Sequence, residues 1–275
     1  MLRAFVFLCL INLSACASNE SLFSDKVTVD PINLQDGVPK YAQTQGQQVV
    51  SGDDRINWFS CTQKATAPYL VMLNPAAKAW QKADACTHPA ALEFLEHGFN
   101  IIAINRPSKE ILGDDKSVNQ VKETIEFLQK EDRRMEGLWA AGEASVLALR
   151  LARQLPWKIL IIGNGIYDWE QTLKESADPG FVARMKALPG SNESRFAEKR
   201  SAAWELSGLP RLIYLYHSGK NAQVLPAQAS RFKDSLAASE YKVELFVLDD
   251  DTQEIRPEYQ RGVLSRILST YQRQE

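Results

Sequence analysis

The strongest constraint on this chain is an alternation between short apolar runs and longer segments with helical spacing. Residues 69–73 read Tyr-Leu-Val-Met-Leu and residues 100–104 read Asn-Ile-Ile-Ala-Ile. Runs of this kind, with no polar-apolar alternation, are expected of strands buried on both faces. Similar runs predict strands over 138–141, 159–162, 212–216 and 242–248, and a leading β pair over 47–50 and 55–61 around Gly52-Asp53. Helical spacing falls between them. It covers 89–96, ending near Gly98, and 118–129, where Val121, Ile125 and Leu128 share a face. It recurs over 143–154, with Leu147, Leu151 and Leu155 in register, and over 227–238 and 259–271. Strands separated by helices imply βαβ units. The expected fold is therefore α/β, a doubly wound and mostly parallel sheet, with a charged helical insertion over about residues 167–206 before the penultimate strand.

At 275 residues the chain has ample material for a core. Its formal net charge of -2 gives no electrostatic reason to expect nucleic acid as a partner, and no basic run suggests an anionic membrane surface. No internal repeat is visible. Outside the N-terminus no apolar run is long enough to span a bilayer.

The N-terminus carries its own signal. Arg3 supplies a positive start, and residues 4–13 form an apolar stretch too short to cross a membrane. Small residues and a cysteine follow, in Leu13-Ser14-Ala15-Cys16. This resembles the bacterial lipobox, in which the cysteine is acylated (palmitate among the acyl groups) and becomes the first mature residue. The alternative is an ordinary cleaved signal peptide with an incidental cysteine. The lipobox resemblance implies a signal peptide over 1–15, a lipidated Cys16, and export to the cell envelope. Ala17, rather than Asp, after the cysteine implies the outer membrane, facing the periplasm. The membrane is then a partner through the acyl chains alone. Residues 16–46, polar and poor in aromatics, read as a flexible tether, with the folded domain over 47–275.

Of the four cysteines, Cys9 lies in the expected signal segment and Cys16 would carry the lipid, which leaves Cys61 and Cys86. In an oxidising compartment they are expected to pair. A bridge would close a loop of about 25 residues and stabilise the fold by ~3 kcal/mol in the chain-entropy model. Two buried thiols remain the alternative. Their spacing does not suit a metal, and no histidine cluster accompanies them.

The segment Gly137-Leu-Trp-Ala-Ala-Gly142-Glu-Ala144-Ser145-Val146 resembles the nucleophile elbow of the α/β-hydrolase superfamily, a strand, a sharp G-x-S-x-G turn and a helix. With Gly142 as the first glycine, the nucleophile position falls on Ala144 and the second glycine on Val146. The resemblance extends to His217-Ser-Gly-Lys-Asn221-Ala-Gln-Val-Leu-Pro226, similar to the loop that bears the family's catalytic acid, here Asn221. It includes the last strand and its loop, where the histidine position falls on Gln253. It also includes the strand before the oxyanion loop, which ends in Asn74-Pro75-Ala76. It covers about residues 47–272, with the motifs in order.

A serine hydrolase needs a nucleophilic hydroxyl, a base to take its proton and an acid to orient that base. Ala144 has no nucleophile, Gln253 carries no proton near neutral pH, and Asn221 has no charge. Pro75 removes one backbone donor from the oxyanion loop, and Val146 crowds a position that favours glycine. A relocated assembly of Ser145, His217 and Asp168 is the fallback: His217 stands at the carboxyl edge of the sheet, where open α/β proteins bind ligands, and Asp168 follows the strand after which, as the resemblance implies, some relatives place their acid. His97 reads as a helix C-cap and His88 as solvated. Trp139 reads as core, Trp80 as a possible lining of the old cleft, and Asp249-Asp250-Asp251 as a solvated loop. No metal and no cofactor are expected. The reading that follows is a non-catalytic binding or scaffolding lipoprotein, its partner an envelope protein or a small-molecule ligand. The alternative is a weak or non-standard esterase or peptidase.

Overall fold

The computed structural model describes residues 41–50, 54–74, 82–107, 112–131, 133–191, 193–249 and 255–274. Cys16, the expected signal peptide, Trp80, Pro75, Ala76, Asp250, Asp251 and Gln253 lie outside these residues.

Eight strands form one sheet. They are β1 (Ala42–Val49), β2 (Arg55–Thr62), β3 (Tyr69–Leu73), β4 (Asn100–Ile104), β5 (Met135–Ala141), β6 (Ile159–Gly163), β7 (Leu212–Ser218) and β8 (Lys242–Leu248). Their order is β1-β2-β4-β3-β5-β6-β7-β8. β1 and β2 pair antiparallel, as do β2 and β4, and every other neighbouring pair is parallel. The helices are α1 (Lys82–Thr87), α2 (Pro89–Glu96), α3 (Asp115–Gln129), α4 (Ala144–Ala152), α5 (Trp169–Glu175), α6 (Pro179–Lys186), α7 (Ser194–Arg200), α8 (Pro226–Ala237) and α9 (Pro257–Gln272). A short 3₁₀ turn, Ala202–Trp204, closes the insertion that holds α5 to α7. Among the described residues no helix is long and apolar enough to cross a membrane.

Two apolar layers follow from the side-chain alternation of the strands. On one face Val71, Leu138, Leu160, Ile213 and Leu245 pack against α3, α4 and α8. On the other, Leu70, Trp139, Ile161, Tyr214 and Phe246 pack against α1, α2 and α9. β3, β4 and β6 are buried at every position, which is why their sequences lack alternation.

Two devices hold the second face together. Cys61 of β2 and Cys86 of α1 form a disulfide, with Cα atoms 5.9 Å apart. Arg261 of α9 donates from Nε to Glu93 (3.1 Å) and from its terminal nitrogen to Glu96 (2.6 Å), which pins α9 on α2. The arginine and Glu93 are each 1% exposed. Such a pair repays its desolvation only while both partners are present.

Among the departures from expectation, three are informative. β1 begins at Ala42, so residues 42–46 belong to the sheet and not to the tether. Its sequence, Ala-Gln-Thr-Gln-Gly-Gln-Gln-Val, offers no apolar alternation because it is an edge strand. Gly46 is required there, since a Cβ would lie 2.1 Å from the Trp58 indole. α1 was not expected; at six residues it is too short for periodicity to reveal. β7 runs to Ser218, two residues past the expected end, and this decides the fate of His217.

Candidate functional site

The carboxyl ends of β5, β6 and β7 converge where the sequence places its elbow. β5 ends at Ala141, and the next residue, Gly142, has φ +56°. Its N–H donates to the Gly163 carbonyl at 2.9 Å, and its own carbonyl accepts from Ser145 N–H at 3.1 Å. Glu143 is already right-handed, and α4 starts at Ala144. The sharp left-handed turn is therefore at Gly142. Ala144, the expected nucleophile position, lies two residues later as the first helical residue and is wholly buried. Counted outward from the apex, the flanking positions of a G-x-S-x-G turn fall on Ala140 and Ala144, both small and buried. A Cβ built on Gly142 meets nothing within 4 Å, so the apex faces open space. Val146 lies one turn into α4 and does not crowd the apex.

The loop after β7 keeps its shape through Asn221. The side-chain oxygen accepts from Gln223 N–H at 2.9 Å and Val224 N–H at 3.0 Å. Asn164, after β6, adopts φ +47°, a conformation asparagine tolerates better than most residues. Its side-chain oxygen accepts from Ser218 N–H at 2.8 Å, which ties the β6 and β7 ends together. Nothing in composition pointed to Asn164; the Asn164-Gly165 pair was the available signal.

The fallback assembly does not form. Ser145 is fully buried, and its Oγ accepts from Ile166 N–H at 2.8 Å. Asp168 caps α5 by accepting from Gln171 N–H at 3.0 Å. His217 is 0% exposed, with Nδ1 2.9 Å from the Ser218 carbonyl and Nε2 without a partner. Alternation puts the imidazole on the same face of β7 as Ile213 and Leu215, inside the protein rather than at a loop edge. Burial drives its pKa down to about 4, so the ring is neutral. Among the described residues no hydrogen bond joins any two of Ser145, His217 and Asp168.

The other singled-out residues are structural. His88 is half-buried rather than fully solvated; its Nδ1 accepts from Ala90 N–H as the N-cap of α2, and the ring lies 5.5 Å from Trp139. Burial lowers it to about 4 as well. His97 is the α2 C-cap, as expected. Trp139 is buried and donates to the Tyr216 hydroxyl at 3.0 Å. Asn74 is buried at the end of β3 and donates to Asn105 at 3.1 Å. Asp249 is exposed. Among the described residues no group of metal-ligating side chains is found.

The insertion packs against the elbow. Val146 and Val224 join Ile166, Trp169, Phe181 and Met185 in one apolar cluster. Arg184 of α6 donates to Glu143, next to the apex, at 2.8 Å.

No protein-family model matches the sequence, and no curated protein is similar to it. Solved structures do match. A puromycin-hydrolyzing peptidase of Mycobacterium tuberculosis superposes on 84% of the chain with a TM-score of 0.63 at 13% identity. An acylaminoacyl peptidase of Pyrococcus horikoshii covers 85% with a TM-score of 0.67 at 16% identity. The chain spans only 38% and 42% of these peptidases' lengths. A carboxyl esterase of the fungus Tuber melanosporum matches over 89% of the chain and 91% of its own, with a TM-score of 0.66 at 11% identity. The chain has the α/β-hydrolase fold.

Proposed function

We propose that this protein is an envelope lipoprotein, anchored through Cys16, whose α/β-hydrolase scaffold binds a partner and does not catalyse. One observation carries the loss of catalysis. The residue at the strained strand-to-helix apex, where the fold presents a nucleophile, is Gly142, which has no side chain. On this reading the register of the elbow is Ala140, Gly142, Ala144 in place of the glycine, serine and glycine.

Further features agree. Asn221 stands where the resemblance puts the acid and has no charge to hold an imidazolium. The imidazole of His217 is buried and neutral. Ser145, three residues past the apex, and Ser218, at the end of β7, are both fully buried.

The test is labelling of the purified protein with a serine-directed fluorophosphonate, with short-chain ester turnover measured beside it and denatured protein as control. No labelling and no turnover above the control are expected. Stoichiometric labelling of any serine would overturn the proposal in favour of a non-standard hydrolase, as the fold's peptidases and esterases would suggest. The anchor is tested separately, since palmitate incorporation in cells should vanish in Cys16→Ala.

A further inference from the structure

On the outer side of α4, away from the apex, a groove of about 760 Å³ opens between that helix and the insertion. α4 contributes Arg150, its C-cap and the next residue contribute Arg153 and Gln154, α7 contributes Arg195, Glu198 and Lys199, and Trp204 and Glu205 follow from the 3₁₀ turn. The sequence builds this lining by helical spacing. Arg150 of α4 and its right-handed C-cap Arg153 are three apart, and Arg195 and Lys199 of α7 are four apart, so each helix turns a pair of cations to the same side.

The cations are not equally neutralised. Asp115 pairs with both Arg150 and Lys199, and these two pull its carboxyl down to about 2. Arg153 is less well served. Its side chain is 15% exposed, and Glu205, itself 67% exposed, approaches only to 3.6 Å. It donates to the Ala202 carbonyl at 3.1 Å, while its buried Nε has no partner. Burial pulls the guanidinium below its ordinary value, and the Glu205 charge offsets this only in part. Arg195 is exposed on the rim. Beside them stands Trp204, 53% exposed, one of two large hydrophobic side chains left exposed among the described residues.

Tryptophan and arginine are the side chains that most often dominate protein interfaces, and arginine clusters recognise acidic segments. Small-molecule sites are lined mostly by apolar groups, which this groove is not. We propose that the groove docks an acidic peptide segment of a protein partner, with carboxylates paired to Arg153 and Arg195 and an apolar side chain laid on Trp204. This deepens the binding role proposed above and rests on it, but it does not require the apex to be inert.

The test uses the full lipid-bearing chain in neutral detergent micelles. The probe is a fluorescein-labelled peptide of alternating Glu and Gly with one central Leu, compared with the same peptide carrying Gln for Glu. Binding is read by anisotropy and by tryptophan emission, at low and at raised salt. The Glu peptide should bind, the Gln peptide should not, and salt should weaken the complex. Trp204→Ala and Arg195→Gln, both at exposed positions, should keep the wild-type unfolding midpoint yet weaken binding roughly tenfold. Equal binding of both peptides, or unchanged affinity in these variants, would overturn the proposal. So would tighter binding of the delipidated chain to phosphatidylglycerol vesicles than to the peptide, which would assign the groove to lipid headgroups. Fluorophosphonate labelling of the same sample separates the two proposals. Labelling with peptide binding intact would sink the inert apex alone, and no labelling with no binding would sink the groove alone.

Discussion

Acidification from about pH 7.5 to about pH 5 should remove roughly 4 kcal/mol of folding stability, and two histidines, His217 buried and His88 half-buried, supply the effect. His217 is wholly enclosed under β7, with one ring nitrogen facing the Ser218 carbonyl and the other unpartnered. His88 caps α2 against Trp139. Burial lowers each from 6.5 to about 4. Because the folded values lie below the unfolded ones, the unfolded chain binds more protons as pH falls between them. Their stabilising share is fully present above about pH 6.5 and is lost progressively toward about pH 4. At about 1.36 kcal/mol for each pH unit, each ring has forfeited ~2 kcal/mol by pH 5. The loss approaches ~3 kcal/mol per ring below pH 4.

The choice of pH 5 isolates these groups from the carboxylates. Asp115, held at about 2 by Lys199 and Arg150, contributes above its ordinary value of 3.8 and is lost only below that. The assay is urea unfolding at several pH values, read as midpoint and slope together. His217→Leu should roughly halve the loss between the two pH values. His88→Asn, which keeps a capping side chain, should do the same, and the double variant should be nearly flat. A wild-type stability that does not change over this interval would refute the reasoning, as would a double variant that keeps the full dependence.

Three other perturbations test the scaffold. Replacing Cys61 and Cys86 together by Ser should lower unfolding free energy by ~3 kcal/mol, from a closed loop of 25 residues, and reduction of the wild type should match it. Arg261→Met leaves the Glu93 carboxylate buried without its main partner, so a loss of roughly 3–5 kcal/mol is expected in urea unfolding. Adding Glu93→Gln should recover part of that loss. Gly163→Ala would place a Cβ 2.2 Å from the Tyr216 ring, which is held by Trp139, so a thermal midpoint well below wild type is expected; Gly98→Ala, where φ is +82° but a Cβ meets open space, should lower it less.

The architecture was legible wherever burial left a compositional mark. Every position of β4 is buried, and 100–104 could be read as a strand to the residue. β1 left no such mark, because an edge strand of Gln and Thr buries little. At the elbow the strand and helix were readable, but the register was not. Alanines stand two residues to either side of Gly142, so Gly142 reads as a flanking glycine although it is the residue that turns left-handed, and a positive φ is not written in composition. His217 shows the cost of a two-residue error in an element boundary. With β7 ending at residue 216 it stands on a loop edge; with β7 running to Ser218 the pleat turns it into the core. The groove was missed for another reason. Its cations come from helices about forty residues apart in sequence, and only the docking of α7 beside α4 makes them neighbours.

At Asn221 the demands of the fold can be separated from the demands of the chemistry whose loss is proposed above. What the loop after β7 demands of that side chain is an oxygen that accepts from Gln223 and Val224 N–H, and an amide meets this demand as a carboxylate would. What catalysis demands at the same place is a negative charge that orients and stabilises a protonated imidazole, and an amide cannot meet that. Loop geometry and catalytic charge are therefore separable at this position. Asn221→Asp is the direct probe of the separation. It should leave the unfolding midpoint near that of the wild type and confer no ester turnover, because the apex still has no nucleophile. A large stability change would show that the loop is not held by the oxygen alone. Turnover gained by this single change would show that a nucleophile stands somewhere other than Gly142.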